Sequence, residues 1–252
     1  GIAALSGFIG SWFLELNINN YHWIFTFLGF CAFAKAVAIF SMPSEPIVDS
    51  PHTNPFGNMK YIIKDKSFGY VLLTWFIMGF ANLWTLPLRV DYVTAPEWGI
   101  EGSAIYVAMI ITIIPETIRM ILIPFWASLF DKMNFVVLRM ILNLFFGFGV
   151  LLFFVTSNPW VIGMGSALIG AAFAGGSIAW NLWVTKYAPP GKAGAYMSVH
   201  VSLTGIRGTI GPILGYWTVN LIGARNIGIV SFVMMFFATL MLIPEIKHGA
   251  KR

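Results

Sequence analysis

The chain has 252 residues, of which 58% are hydrophobic and 10% charged, and its net charge is +5. Soluble domains carry about 25% charged residues, so this composition excludes an ordinary soluble enzyme and points to a polytopic α-helical membrane protein. The apolar runs are too long for barrel strands, which need about 9–11 alternating residues, and the lone Cys31 cannot form an intrachain disulfide.

Gly1–Leu14 is apolar but shorter than the roughly 20 residues a bilayer span needs, and it reads as the tail of a helix that begins upstream. A short loop, Glu15–Asn20, leads to the first complete span, Tyr21–Met42. Pro43–Lys66 is the longest polar stretch, and four prolines oppose regular structure in it, so it is the expected linker. Ser67–Val90 is the next span, kinked near Pro87. Ser103–Trp126 follows, with Pro115 inside it, and Ala127–Asn134 is a tight turn. Phe135–Thr156 and Trp160–Thr185 are paired across Ser157–Pro159, and Lys186–Lys192 is a Pro-Pro-Gly loop. Ala193–Asn220 and Asn226–Ile243 complete the set.

Basic residues fall mostly on one side of these spans. Lys60, Lys64, Lys66, Lys132, Arg139, Lys186, Lys192 and the C-terminal Lys247, Lys251 and Arg252 share a side, against Arg89 and Arg225 on the other. The positive-inside rule makes the linker and the C-terminus cytoplasmic, in a plasma or inner membrane. The positive charge is thus explained by topology, and no nucleic acid partner is expected. No metal-ligand cluster, phosphate loop or nucleophile motif occurs, so no cofactor, metal or enzymatic role is expected either.

An internal repeat appears at a shift of 201 residues. Gly7 falls on Gly208, Ile9 on Ile210, Gly10 on Gly211, Asn19 on Asn220 and Pro43 on Pro244. The two helix-loop-helix units run the same way through the membrane, which is a parallel repeat.

Ala127-Ser128-Leu129-Phe130-Asp131-Lys132-Met133-Asn134 resembles G-x-L-a-D-R/K-x-G, the loop signature of the major facilitator superfamily of secondary transporters. Ala127 and Asn134 replace its glycines, and Phe135 stands where a basic residue is usual. Asn134 is read as tolerating a left-handed turn. The resemblance implies an all-α membrane protein: a six-helix bundle (helices 7–12) preceded by partial helix 5 and helix 6. Residues 1–42 are then the end of the N-terminal half, 43–66 the cytoplasmic linker, 67–244 the C-terminal half and 245–252 a cytoplasmic tail. It also implies alternating access between two halves, with helices of the same chain upstream. Asp131, Lys132 and Arg139 become the cytoplasmic gate.

Intramembrane polar residues supply the candidate site. Arg207 stands at the midpoint of Ala193–Asn220 and shares one narrow stripe with His200, Thr204, Gly211 and Gly215, opposite a wholly apolar arc. An arginine at the bilayer centre costs roughly 2.5–3.5 kcal/mol on insertion scales, so it faces a cavity or a partner. A structural ion pair is the plainer reading of it. Glu116 lies roughly 15 Å deep at 1.5 Å per residue, one helical step from Arg119. A carboxylate there takes up a proton or pairs with a cation, so the pair is either the proton-coupling element or a static salt bridge. Trp75, Asn82 and Arg89 recur at seven-residue intervals, with Asn82 the expected solute contact and Arg89 with Asp91 an outer rim pair. Trp180 and Asn181 are the expected cavity floor, in a helix whose glycines serve close packing. The expected partners are a small polar or anionic solute, a proton and the lipid bilayer. The expected activity is secondary active transport, a symport if the proton is coupled. The alternatives are an uncoupled facilitator and a receptor or assembly module that moves nothing.

Overall fold

The computed structural model describes residues 2–43, 57–98 and 100–249. Most of the expected linker, residues 44–56, lies outside them, as do Lys251, Arg252 and the side chain of Asn181.

The elements formed by the described residues are all helices, with no strand. In chain order they form α1 (Ile2–Leu16), α2 (Tyr21–Phe40), a single turn α3 (Tyr61–Lys64), α4 (Lys66–Thr85), α5 (Leu88–Thr94) and α6 (Ala104–Ala108). There follow α7 (Ile114–Lys132), α8 (Phe135–Phe154), α9 (Pro159–Tyr187), α10 (Ala193–Ile222), α11 (Ala224–Met241) and a last turn, α12 (Ile246–Gly249). Six helical stretches among the described residues are long and apolar enough to cross a membrane. The 30-residue α10 is long enough but less apolar, because it carries the polar stripe.

Neighbouring helices run α7–α9–α8–α11–α4–α10, with α1 laid across α6 and α7. Two apolar cores fill the bundle. One centres on Phe68, Trp75, Leu138 and Trp183, the other on Ala81, Val150, Phe154 and Ile227. In lipid, apolar contact alone does not drive helices together, so close backbone approach must contribute. A Cβ at Gly149 would lie 2.9 Å from the Gly165 carbonyl oxygen, and one at Gly165 2.8 Å from that of Gly149. Both positions must be glycine for α8 and α9 to cross this tightly. The same absence of a hydrophobic penalty leaves α2 free to expose Trp23, Phe27 and Phe33, with no buried residue.

One local expectation is corrected and two are made specific. First, Ala127–Asn134 is not a turn. Helix α7 continues to Lys132, leaving only Met133 and Asn134 as the connection. Asn134 is extended (φ −57°, ψ 124°) rather than left-handed. Its side chain accepts from the Val136 N–H at 2.8 Å and donates to the Ile246 carbonyl at 2.8 Å. An N-cap satisfies an otherwise orphaned helical donor, so no left-handed residue is needed. Second, the span from Ser67 breaks into α4 and α5 at Leu86–Pro87, because proline has no N–H to continue the ladder. Third, the irregularity at Pro115 takes the form of a π turn, Met109–Ile113, just before it. Such turns insert an extra residue and gather at functional sites.

The repeat keeps register in its second helix: Phe40 ends α2, and Met241, 201 residues on, ends α11.

Candidate functional site

The three- and four-residue spacing of His200, Thr204, Arg207, Gly211 and Gly215 puts all five on one side of α10. In the structure that side is the seam with α4, whereas Ile206, Ile210 and Trp217 of the apolar arc are exposed. Of the two expected surroundings, a cavity or a partner, the stripe over much of its length faces a partner helix. The glycines explain this. A Cβ at Gly211 would come within 3.0 Å of Leu83 Cβ, and one at Gly215 within 2.4 Å of the Trp84 carbonyl oxygen.

Arg207 is 2% exposed. Its Nη1 donates to the backbone carbonyl of Trp75, and its Nη2 donates to Thr204 Oγ1 at 3.2 Å. The guanidinium carbon lies 5.1 Å from the centre of the Trp180 ring. It reaches the α4 backbone because Gly79, one turn beyond Trp75, has no side chain. A Cβ there would fall 2.1 Å from Nη1.

A second guanidinium meets the same tryptophan. Arg139 of α8 stacks on Trp75 with its central carbon 3.4 Å from the ring centre, and it donates to Met78 Sδ at 3.4 Å. His200 makes edge contacts with Trp75, Trp180 and Trp183 at 5.2–5.4 Å. Two cations and an imidazole are thus set among three indoles, where the two apolar cores meet. Effective burial of a charge costs several kcal/mol, and each desolvated cation–π contact returns about 2 kcal/mol. Neither guanidinium forms an ion pair with a described carboxylate. Trp75 Nε1, Trp183 Nε1, His200 Nε2 and Arg207 Nε are buried without a hydrogen-bond partner among the described residues. Buried polar groups are ordinarily paired, so this cluster holds unused donors beside uncompensated positive charge.

The other expected residues are placed differently. Glu116 and Arg119 form a salt bridge at 3.2 Å with side chains 33% and 38% exposed. Neither pairs with Arg207, whose donors go to Trp75 and Thr204. Asp131 and Lys132 are exposed at the end of α7, whereas Arg139 is buried at Trp75. Asn82 accepts from Arg89 Nη2 at 2.8 Å. Arg89 therefore turns inward to Asn82 rather than forming a rim pair with Asp91, which is bonded to Tyr216. The side chain of Asn181 lies outside the described residues.

Arg139, Trp75 and Trp183 were missed as members of the cluster. Arg139 carried the same signal as Arg207, a full charge inside an apolar run, but it lies close enough to the end of its helix to read as a surface charge.

Among the described residues, seven helical stretches of membrane length around a buried cationic seam make a multi-pass membrane architecture with a polar interior. The family model described as Major Facilitator Superfamily matches residues 1–208 and 97–252, which together span the chain. The chain belongs to the major facilitator superfamily. No curated protein and no solved structure matches it. A major facilitator protein is a multi-pass integral membrane protein of a transporter family, so the cationic cluster lies in the interior of a membrane transporter.

Proposed function

We propose that this major facilitator protein is a secondary active transporter of a small anionic or polar solute, working by alternating access. In this reading α1 and α2 are helices 5 and 6, at the end of the N-terminal half. Helices α4 to α11 supply helices 7–12, and the C-terminus is cytoplasmic in a plasma or inner membrane. The observation that carries the solute class is the meeting of Arg207 and Arg139 at Trp75 without a carboxylate partner among the described residues. An uncompensated guanidinium pair in a low-dielectric interior favours an anion and disfavours a cation. His200, Thr204 and Trp180 shape the contact, and Asn82 and Asn181 lie along the neighbouring helices.

Glu116 is the proton-coupling candidate. It is paired with Arg119 at 3.2 Å, and a coupling role requires that this pair open and close during the cycle. The same salt bridge favours a second reading, an uncoupled facilitator in which the pair is static. Uptake measured at several external pH values separates the two. Coupling through Glu116 predicts that Glu116→Gln removes the pH dependence of uptake and the ability to concentrate solute. An unchanged pH profile in that variant assigns Glu116 to structure alone.

A further inference from the structure

A third buried guanidinium is also without a carboxylate partner among the described residues, and it lines a cavity. Arg89 of α5 is 6% exposed and carries a charge that no physiological pH removes. Its Nη2 donates to Asn82 Oδ1 at 2.8 Å, but its Nε is buried without a partner among the described residues. Ser166 of α9, 1% exposed, also lacks a hydrogen-bond partner for its hydroxyl. Both residues line one cavity of about 100 Å³. The other walls are hydrocarbon from Ile110, Ile111, Phe153 and Phe173, together with Pro115. Ile110 and Ile111 belong to the π turn before Pro115.

Among the described residues, no carboxylate lines the cavity. Asp91, the acidic residue nearest Arg89 in sequence, lines a different pocket with Tyr216 and Trp98. A buried charge is costly unless paired, and here the protein supplies one neutral acceptor, Asn82, and then an empty space. That space exceeds the roughly 10–15 Å³ a single water needs. The complementary occupant is a compact anion that accepts from one guanidinium edge and one hydroxyl and tolerates apolar walls. Phosphate or sulfate would leave most of its oxygens against isoleucine and phenylalanine. A halide has no such surplus.

We propose that this cavity is a halide site, in which chloride lies between the Arg89 guanidinium and the Ser166 hydroxyl and neutralises the buried charge. The site is separate from the Trp75 cluster and does not depend on which solute is carried.

The test is thermal unfolding of the purified full-length protein in detergent, in sodium chloride against sodium gluconate at constant ionic strength. Chloride is expected to raise the unfolding temperature saturably by a few °C, as ligand linkage requires, and bromide to replace it. Ser166→Ala should move the titration to higher chloride, and Arg89→Met should abolish it. If Arg89→Met does not fold, the Ser166→Ala shift decides the matter. Identical unfolding in chloride and gluconate overturns the proposal and leaves water in the cavity. A chloride effect of unchanged midpoint in Ser166→Ala also overturns it, because the ion then binds elsewhere.

Discussion

Arg207→Gln is expected to lower anion uptake by roughly 30-fold or more, the equivalent of losing a buried charged contact worth about 2–5 kcal/mol. The assay is uptake of radiolabelled carboxylates and inorganic phosphate by cells expressing the full-length protein, with surface expression checked in parallel. The size of the effect follows from the environment. Arg207 is buried against the Trp75 carbonyl, Thr204 and the Trp180 ring, so its charge acts across a medium of low dielectric. Arg207→Lys keeps the charge but is expected to restore only a minor part of the activity. An ammonium cannot reach Trp75 and Thr204 in one fork or lie flat against an indole. Uptake by Arg207→Gln within about threefold of the unmodified protein would exclude the guanidinium from solute binding, because a charged contact of ordinary strength costs more than that.

Gly79→Ala is expected to match that loss without touching a charged residue. The added methyl would lie 2.1 Å from Arg207 Nη1, 2.3 Å from its central carbon and 2.8 Å from Nε, so it occupies the guanidinium's own position. Either the side chain withdraws or α4 and α10 separate, and the Trp75 contact is lost both ways. The two substitutions act on one contact and should not be additive: Gly79→Ala with Arg207→Gln should be no worse than Arg207→Gln alone. Gly194→Ala, on the same α10 with nothing within 4 Å of its Cβ, should transport normally. Normal uptake by Gly79→Ala would mean that the position of the guanidinium does not matter to transport.

The sequence made the helices legible because lipid imposes a length and an apolar composition on each span. Tyr21–Met42 and Ala193–Asn220 were read to within two residues of the helices that form. The stripe on α10 was legible because a 3.6-residue period gathers His200, Thr204, Arg207 and the glycines. What faced that stripe was not. Glycines at a four-residue interval permit either a cavity or a close helix crossing, and only the position of α4 distinguishes them. Arg139 was hidden for a related reason. One turn from a helix start, a charge can snorkel or turn inward, and the choice is made by Trp75, 64 residues away in sequence. Pro115 announced an irregular backbone, but whether that becomes a kink or a π turn depends on the packing of α7 against α9, where a Cβ at Gly170 would lie 2.5 Å from the Pro115 carbonyl oxygen.

The central claim is that a guanidinium only 2% exposed in this conformation opens to water and solute during a transport cycle. Thr204 lies beside Arg207 in the same stripe, and the exposed native thiol of Cys31 is removed as Cys31→Ser. In that background, Thr204→Cys in membranes is treated with a membrane-impermeant thiol reagent from each side in turn. Alternating access predicts labelling that the transported anion slows. No labelling from either side, with or without anion, would instead describe a sealed core of the kind a non-transporting membrane module would have.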